Sequence, residues 1–309
     1  MQEKKKQKII GDVAFDHCEM MRVLEFLTEK YPALELSYLT TSILGAPIPI
    51  LTVGTGAHEV LYVGAHHGME WITALLLCRF LEEICELSKD GHSHNRRALP
   101  VCLELCKFHV IPMLNPDGVS YQIHGVDAKN PLRERLLRMN PDGEDFSKWQ
   151  ANARGVDLNH NYDAGFWEYK PLEVENGITQ GAPTRYSGEY PESEPEVAAL
   201  CNWIRFHSDL CGILTLHTQG EEIYYQSGGK SAPRAPAIAK RLSRMSGYRL
   251  SEAEGLASFG GLTDWCARGE RLPCFTLECG RGVNPLPISD HIAIYSRLCR
   301  LLFTFPTLV

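Results

Sequence analysis

Two adjacent histidines, His66 and His67, precede a glutamate, Glu70, in the segment Tyr62-Val-Gly-Ala-His-His-Gly-Met-Glu-Trp71. Spacings of three or four residues bring an imidazole and a carboxylate within reach of one another on a single helical turn. Two of the three protein ligands of a hydrolytic zinc site could therefore come from here, with a fourth position kept for water. A third donor is needed from elsewhere. His217 directly follows the apolar run Ile213-Leu-Thr-Leu216 and precedes polar Thr218-Gln-Gly220, so it sits where a buried strand ends. Two imidazoles and one carboxylate leave a dication with net positive charge, enough to acidify water. Glu278 ends a second apolar run, Cys274-Phe-Thr-Leu277. A carboxylate there is costly to desolvate unless it has a task. The task that fits is to take the proton of the water and hand it to the leaving amine. His67, Glu70, His217 and Glu278 thus spell metal-assisted hydrolysis. Spacing alone leaves His66 open as an alternative to His67.

The elements that must position these residues follow from the hydrophobic pattern. Val60-Leu-Tyr-Val63 has strand character and ends in Gly64-Ala65. A helical period then opens with Trp71, Ala74, Leu75, Cys78 and Phe80 on one face and runs to about residue 87. The first histidines therefore lie at a strand-to-helix junction, the edge where open α/β sheets place their sites. Further strands are expected over 34–39, 48–53, 103–112, 212–216 and 273–277. Helices are expected over 15–31, 131–139, 192–207 and 235–246, with a final one from about 289. The stretch 88–95, with His92 and His94, reads as a surface loop. Residues 125–190 are polar and broken by Gly and Pro, and so long an irregular region usually carries function. Strands alternating with helices imply an α/β fold of one domain over 1–309, its sheet mixed and mostly parallel and flanked by helices. Residues 1–12 are expected to form an N-terminal tail.

Composition narrows the function classes. The chain has 309 residues, 44% of them hydrophobic and 22% charged, which suits an ordinary globular protein. A formal charge of −7 and the lack of a basic aromatic patch argue against a nucleic-acid partner. No apolar run reaches the length of a membrane span. The first residues, Met1-Gln-Glu-Lys-Lys-Lys6, lead into no apolar stretch. Eleven cysteines are scattered through apolar runs with no Cys-x-x-Cys pair, a pattern of buried thiols in a reducing compartment. The expected location is the cytoplasm. The oligomeric state is not legible.

Several segments resemble the zinc metallocarboxypeptidases, the carboxypeptidase A-like peptidases. His67-Gly-Met-Glu-Trp-Ile-Thr73 is similar to their metal-binding segment, a resemblance that favours His67 over His66. Asn115-Pro-Asp-Gly118 resembles their strand-end turn and Gly155-Val-Asp-Leu-Asn-His-Asn161 their substrate-carboxylate segment. Leu216-His217 resembles the third ligand, Gly260-Gly-Leu-Thr-Asp-Trp265 the specificity-pocket segment, and Phe275-Thr-Leu-Glu278 the segment of the catalytic glutamate. The matches run in order and cover about residues 15 to 305. The resemblance implies one Zn2+ per chain held by His67, Glu70 and His217, with Glu278 as general base.

The departures bear on substrate. Met69 stands where digestive members carry arginine, and the pair that grips a terminal carboxylate, Asn-Arg in the family, is Asn159-His160 here. Histidine lacks the planar fork that binds a carboxylate bidentately. No tyrosine lies just before Gly260, where the family's mobile one belongs; Tyr224 or Tyr225 could substitute. Arg154 is the nearest cation that could polarise the scissile carbonyl or bind a carboxylate.

Two stretches, Asn152-Ala-Arg-Gly-Val-Asp-Leu-Asn-His-Asn-Tyr162 and Glu278-Cys-Gly-Arg-Gly-Val-Asn-Pro-Leu-Pro287, look most like the bacterial γ-D-glutamyl-diamino acid peptidases. The expected substrate is then a small muropeptide, cut between γ-D-Glu and meso-diaminopimelate, with Thr263 and Arg281 toward the diaminopimelate end. The alternatives are a metallocarboxypeptidase acting on ordinary α-linked peptides, a zinc amide hydrolase of acylated amino acids, and a zinc-containing peptide-binding protein without turnover.

Overall fold

In a computed structural model of the chain, which describes residues 13–89, 103–270 and 272–309, the apolar runs join into one eight-stranded sheet. In chain order the elements are α1 His17–Lys30, β1 Glu35–Thr41, β2 Pro47–Val53, β3 His58–Val63, α2 Ile72–Lys89, β4 Cys106–Ile111 and α3 Pro116–His124. After them come α4 Arg133–Met139, α5 Phe166–Glu175, α6 Pro195–Phe206, β5 Leu210–His217, β6 Glu222–Tyr224, α7 Ala235–Ser246, β7 Arg249–Leu250, α8 Leu262–Trp265, β8 Cys274–Glu278 and α9 His291–Thr304. The expected N-terminal tail and the loop histidines His92 and His94 lie outside the described residues.

The strand order is β1-β2-β4-β3-β5-β8-β6-β7. β4, β3, β5 and β8 run parallel to one another at its centre, as do β6 and β7 at one edge, while β1–β2, β2–β4 and β6–β8 pair antiparallel. The expectation of a mixed, mostly parallel sheet therefore describes the centre. From β3 the chain first adds β4 on one side and later returns to lay β5 on the other. The order reverses at the carboxyl ends of β3 and β5, where an open α/β sheet leaves a crevice.

Alternation along the strands divides the core in two. Val60 and Tyr62 of β3 face α1, α2, α7 and α9 in one apolar cluster; Leu61 and Val63 face α6 and α8 in the other. Leu214 and Leu216 of β5 belong to the first cluster and Ile213 to the second. With a period of two, Thr215 and His217 point to the α6 and α8 face as well.

Candidate metal and catalytic centre

Beyond Val63 the chain leaves the sheet through a tight passage. A Cβ on Gly64 would lie 2.5 Å from the carbonyl oxygen of Pro112, so only glycine fits there. Asn115 caps α3 by accepting from the Gly118 amide, and its Nδ2 donates to the His66 and Gln150 carbonyls. The segment read as a turn is thus the first turn of a helix, and it clamps the histidine loop. Gly68, between the two donors, presses so closely on Gly118 that a Cβ would meet its carbonyl oxygen at 2.4 Å. The Thr73 hydroxyl accepts from the Ala65 amide and donates to the Glu70 carbonyl, fixing the other end of the loop.

These restraints bring His67, Glu70 and His217 together, with one ligand atom of each within 4.8 Å of the others. His67 Nδ1 lies 3.0 Å from Glu70 Oε1. His217 Nδ1 lies 3.1 Å from Glu70 Oε2 and 3.3 Å from His67 Nδ1. Tetrahedral donors about 2.1 Å from a zinc ion stand roughly 3.4 Å apart, so the spacing suits that ion. Two atoms of the set, Glu70 Oε2 and His217 Nε2, are buried without a hydrogen-bond partner. For Glu70 Oε2, which His217 Nδ1 approaches without hydrogen-bond alignment, a cation between the donors supplies what the protein does not.

Asp157 sets the chemistry of His67. Its Oδ1 lies 3.0 Å from His67 Nε2. A carboxylate can only accept, so Asp157 keeps a proton on Nε2, and Nδ1, which faces Glu70 inside the donor set, is the nitrogen that a metal would take in place of a proton. Asp157 is held in turn by the amides of Asn159 and Arg185. Burial opposes charge on both partners, yet the Glu70 and Asp157 carboxylates hold the His67 imidazole well above its usual range, and His67 holds Asp157 low. Asp157 lies within the Gly155–Asn161 segment, and an acid two residues before Asn159-His160 is the signal by which the sequence marks it. Asp157→Asn is expected to weaken zinc binding by about 10- to 100-fold, measured by competition against a chromogenic chelator, with the far-ultraviolet circular dichroism unchanged.

His66 takes another place. Its Nε2 meets the Tyr162 hydroxyl at 3.0 Å and its Nδ1 the Thr215 hydroxyl at 3.3 Å. Burial, with His217 and His67 nearby, pushes its imidazole well below the usual range, so it stays neutral. It supports His217 by stacking, with ring centroids 5.0 Å apart.

Glu278 arrives from β8, in register with His217 on β5. Adjacent strands lie about 4.8 Å apart, which sets the carboxylate beside the cluster without making it a member. Burial, reinforced by the Glu70 carboxylate, pushes Glu278 well above its usual range despite His67. Among the described residues its carboxylate makes no hydrogen bond. On the other side of β8, Tyr224 pairs with Thr276 and Glu222 with Glu278. The Tyr224 hydroxyl donates to Glu222 at 2.7 Å and feels the Glu278 charge, whereas Tyr225 packs against the core. Of the two candidate tyrosines, Tyr224 is the one brought to the centre.

Among the expected substrate-side residues, Asn159 accepts the Leu262 amide on Oδ1, which leaves Nδ2 to donate to a carboxylate. His160 is buried, stacked on Tyr169 at 4.4 Å, with Nδ1 donating to the Phe259 carbonyl at 2.9 Å. Gly260 makes this docking feasible: a Cβ there would meet the His160 carbonyl oxygen at 2.4 Å. The Thr263 hydroxyl lies 2.7 Å from that of Thr276, two residues before Glu278 on the same strand.

Two expectations need correction. Arg154, assigned to the scissile carbonyl, directs Nε to Glu194 at 2.9 Å and Nη2 to the Ser193 carbonyl. It lines a pocket with Arg135, Tyr186 and Tyr190 instead of joining the cluster. Gln150 lies closer to the metal-binding segment: its carbonyl accepts the Gly68 amide and its side chain reaches Met69 Sδ. Arg281, assigned to the diaminopimelate end, is mostly exposed and pairs with Glu221 at 2.8 Å. It lines a separate pocket with Tyr248, Asp290 and Arg297. In both cases a nearby glutamate captures the long side chain.

The chain matches the zinc carboxypeptidase family over residues 20–263. It is 33% identical over 285 residues to γ-D-glutamyl-L-diamino acid endopeptidase 1 of Lysinibacillus sphaericus, covering 92% of this chain and 70% of that protein. Bovine thrombin-activatable fibrinolysis inhibitor, solved in complex with tick carboxypeptidase inhibitor, shares the fold with a TM-score of 0.73 at 21% identity, over 96% of this chain and 97% of that one. Murein-tripeptide amidase MpaA of Escherichia coli O157 shares it with a TM-score of 0.53 at 21% identity, over 88% and 92%. The chain belongs to the zinc carboxypeptidase family, hydrolases of peptide bonds with Zn2+ as their cofactor.

Proposed function

We propose that this peptidase hydrolyses the bond between γ-D-glutamate and meso-diaminopimelate in peptides derived from the cell wall. The observation that carries the reading is the 33% identity, along nearly the whole chain, to an enzyme named for cleaving γ-D-glutamyl-L-diamino acid bonds. A local observation agrees with it. Where an arginine would clamp an ordinary C-terminal carboxylate, His160 offers at most one nitrogen, because Nδ1 is already given to Phe259.

In this reading His67, Glu70 and His217 hold the zinc, and Asp157 fixes the tautomer of His67. Zinc bound there supplies Lewis acidity, which acidifies water and polarises a carbonyl. Glu278 takes a proton from the attacking water on its carboxylate, then delivers it to the departing α-amine of diaminopimelate. Burial and the Glu70 carboxylate raise the proton affinity of Glu278, which favours its taking a proton from water. Asn159 orients the substrate carboxylate through Nδ2. A cytoplasmic setting belongs to the same proposal; thiols buried in the core, such as Cys78 and Cys279, suit a reducing compartment. Among the described residues no helix is long and apolar enough to cross a membrane.

Mass spectrometry of zinc-loaded protein incubated with L-Ala-γ-D-Glu-meso-diaminopimelate, beside an α-linked peptide with a free C-terminus, tests the proposal. Release of free diaminopimelate is expected. Trimming of the α-linked peptide alone would replace this reading with the ordinary metallocarboxypeptidase.

A further inference from the structure

The cavity that Arg154 lines has no part in the hydrolysis derived above. Arg154 and Val156 form one side of it, just before Asp157 in the chain. Tyr186 forms another, and its carbonyl accepts the Asp157 amide at 2.7 Å. Side chains between residues 188 and 194 and Arg135 of α4 close the rest. The cavity holds about 170 Å³. Sites for drug-sized ligands hold roughly 300–1,000 Å³, so the occupant that fits is small.

The lining is rich in donors. Of the arginines on α4, Arg133 pairs with Glu144 and Arg138 with Glu134, whereas Arg135 has no carboxylate partner among the described residues. Arg154 is oriented by Glu194 through Nε and by the Ser193 carbonyl through Nη2. Its Nη1 makes no hydrogen bond among the described residues. Glu194 is buried and already accepts from Asn152, Arg154 and the Ser193 hydroxyl, so its charge is matched before any ligand arrives. The Tyr186 and Tyr190 hydroxyls make no hydrogen bond among the described residues. Burial, with the Glu173 and Glu189 carboxylates nearby, raises the Tyr186 phenol above its usual range, so it keeps its proton to donate. Lys170 stands over the Tyr186 ring, 4.7 Å from its centroid, and adds positive potential. The other carboxylate of the lining, Glu189, is exposed.

We propose that this cavity binds a small oxyanion, a phosphate or carboxylate group, among the guanidinium groups of Arg135 and Arg154 and the Tyr186 and Tyr190 hydroxyls. Arg135 brings a charge that no described carboxylate pairs with, on a planar fork suited to oxyanions. Arg154 brings a donor already fixed in direction, so little side-chain freedom is lost when an anion meets it. The two phenols offer their protons to the oxygens that remain. A cation would meet two guanidinium groups and a matched glutamate, and is disfavoured. An anion here joins α4 to the stretches of chain that hold Asp157. The proposal goes beyond the hydrolytic reading and does not depend on which bond is cut.

Isothermal titration of the zinc-loaded chain with sodium phosphate, and separately with sodium acetate, tests the site in a buffer free of other oxyanions. Wild type is compared with Arg135→Gln, a substitution at an exposed position that should leave zinc content and circular dichroism unchanged. Zinc itself attracts both ions, but that binding is common to the two proteins, so the difference between their isotherms reports the cavity. Wild type should show a site that Arg135→Gln weakens at least about tenfold. Arg135→Lys should recover part of the affinity, and Tyr186→Phe should weaken the same site by a smaller factor. A difference seen with phosphate alone upholds the site for phosphate groups, and one seen with acetate as well upholds it for carboxylates. Identical isotherms for wild type and Arg135→Gln with both ions would overturn the proposal.

Discussion

Glu278→Gln is expected to lower kcat by about a hundred- to ten-thousand-fold while zinc remains bound at one ion per chain. Glutamine keeps the shape of the residue and cannot take a proton. The separation of the two effects follows from where Glu278 stands. It is in register with His217 across β5 and β8, yet the converging donor set is His67, Glu70 and His217 without it. Its carboxylate makes no hydrogen bond among the described residues, so no structural network collapses when the charge goes. Steady-state kinetics beside metal analysis of the dialysed variant checks the prediction. Loss of zinc with the activity would make Glu278 a ligand, and a kcat within about threefold of wild type would move the base elsewhere.

The placement of the centre was legible because each chemical residue closes an apolar run. His217 and Glu278 end β5 and β8, and the His67 loop leaves β3, so reading where buried strands stop was enough to find three parallel strand ends. Spacing could not separate His66 from His67, because both reach Glu70 along the chain. What separates them is Asp157, which holds the His67 ring from 90 residues away. The arginines were misplaced for a related reason. Arg154 and Arg281 are long, and the glutamates that capture them, Glu194 and Glu221, are respectively 40 and 60 positions off in sequence. β6 and β7, three and two residues long, are too short to show alternation. α3 was a different case, since Asn115 followed by Pro116 is a helix-start signature that was read as a turn.

Stability at alkaline pH should be limited by Glu196, and Glu196→Gln should relieve that limit. Glu196 sits in the first turn of α6, where the helix dipole favours a negative charge by about 0.3–1 kcal/mol. Burial works against that charge more strongly. The side chain is fully enclosed, and both carboxyl oxygens lack a hydrogen-bond partner. The amides of Glu196 and Ile43 favour the charged form without reaching hydrogen-bond geometry, and the Glu194 and Asp117 carboxylates disfavour it. Burial prevails and pushes Glu196 up from 4.5 to about 8. The folded chain therefore keeps a proton that the unfolded chain releases near pH 4.5. Its contribution to stability is intact below that point, falls as the pH rises toward about 8, and is then lost. At 1.36 kcal/mol per pH unit, the loss between pH 5 and pH 9 is on the order of 4 kcal/mol. Glutamine carries no charge at either pH and escapes the fall. Its melting temperature should therefore gain on wild type by roughly 5–10 °C between pH 5 and pH 9, taking about 2 °C per kcal/mol for a chain of this size. Differential scanning calorimetry of the zinc-loaded proteins across that range provides the comparison. Parallel curves would mean that Glu196 is already ionised in the fold, and the missing hydrogen bonds would then have to come from water reaching α6.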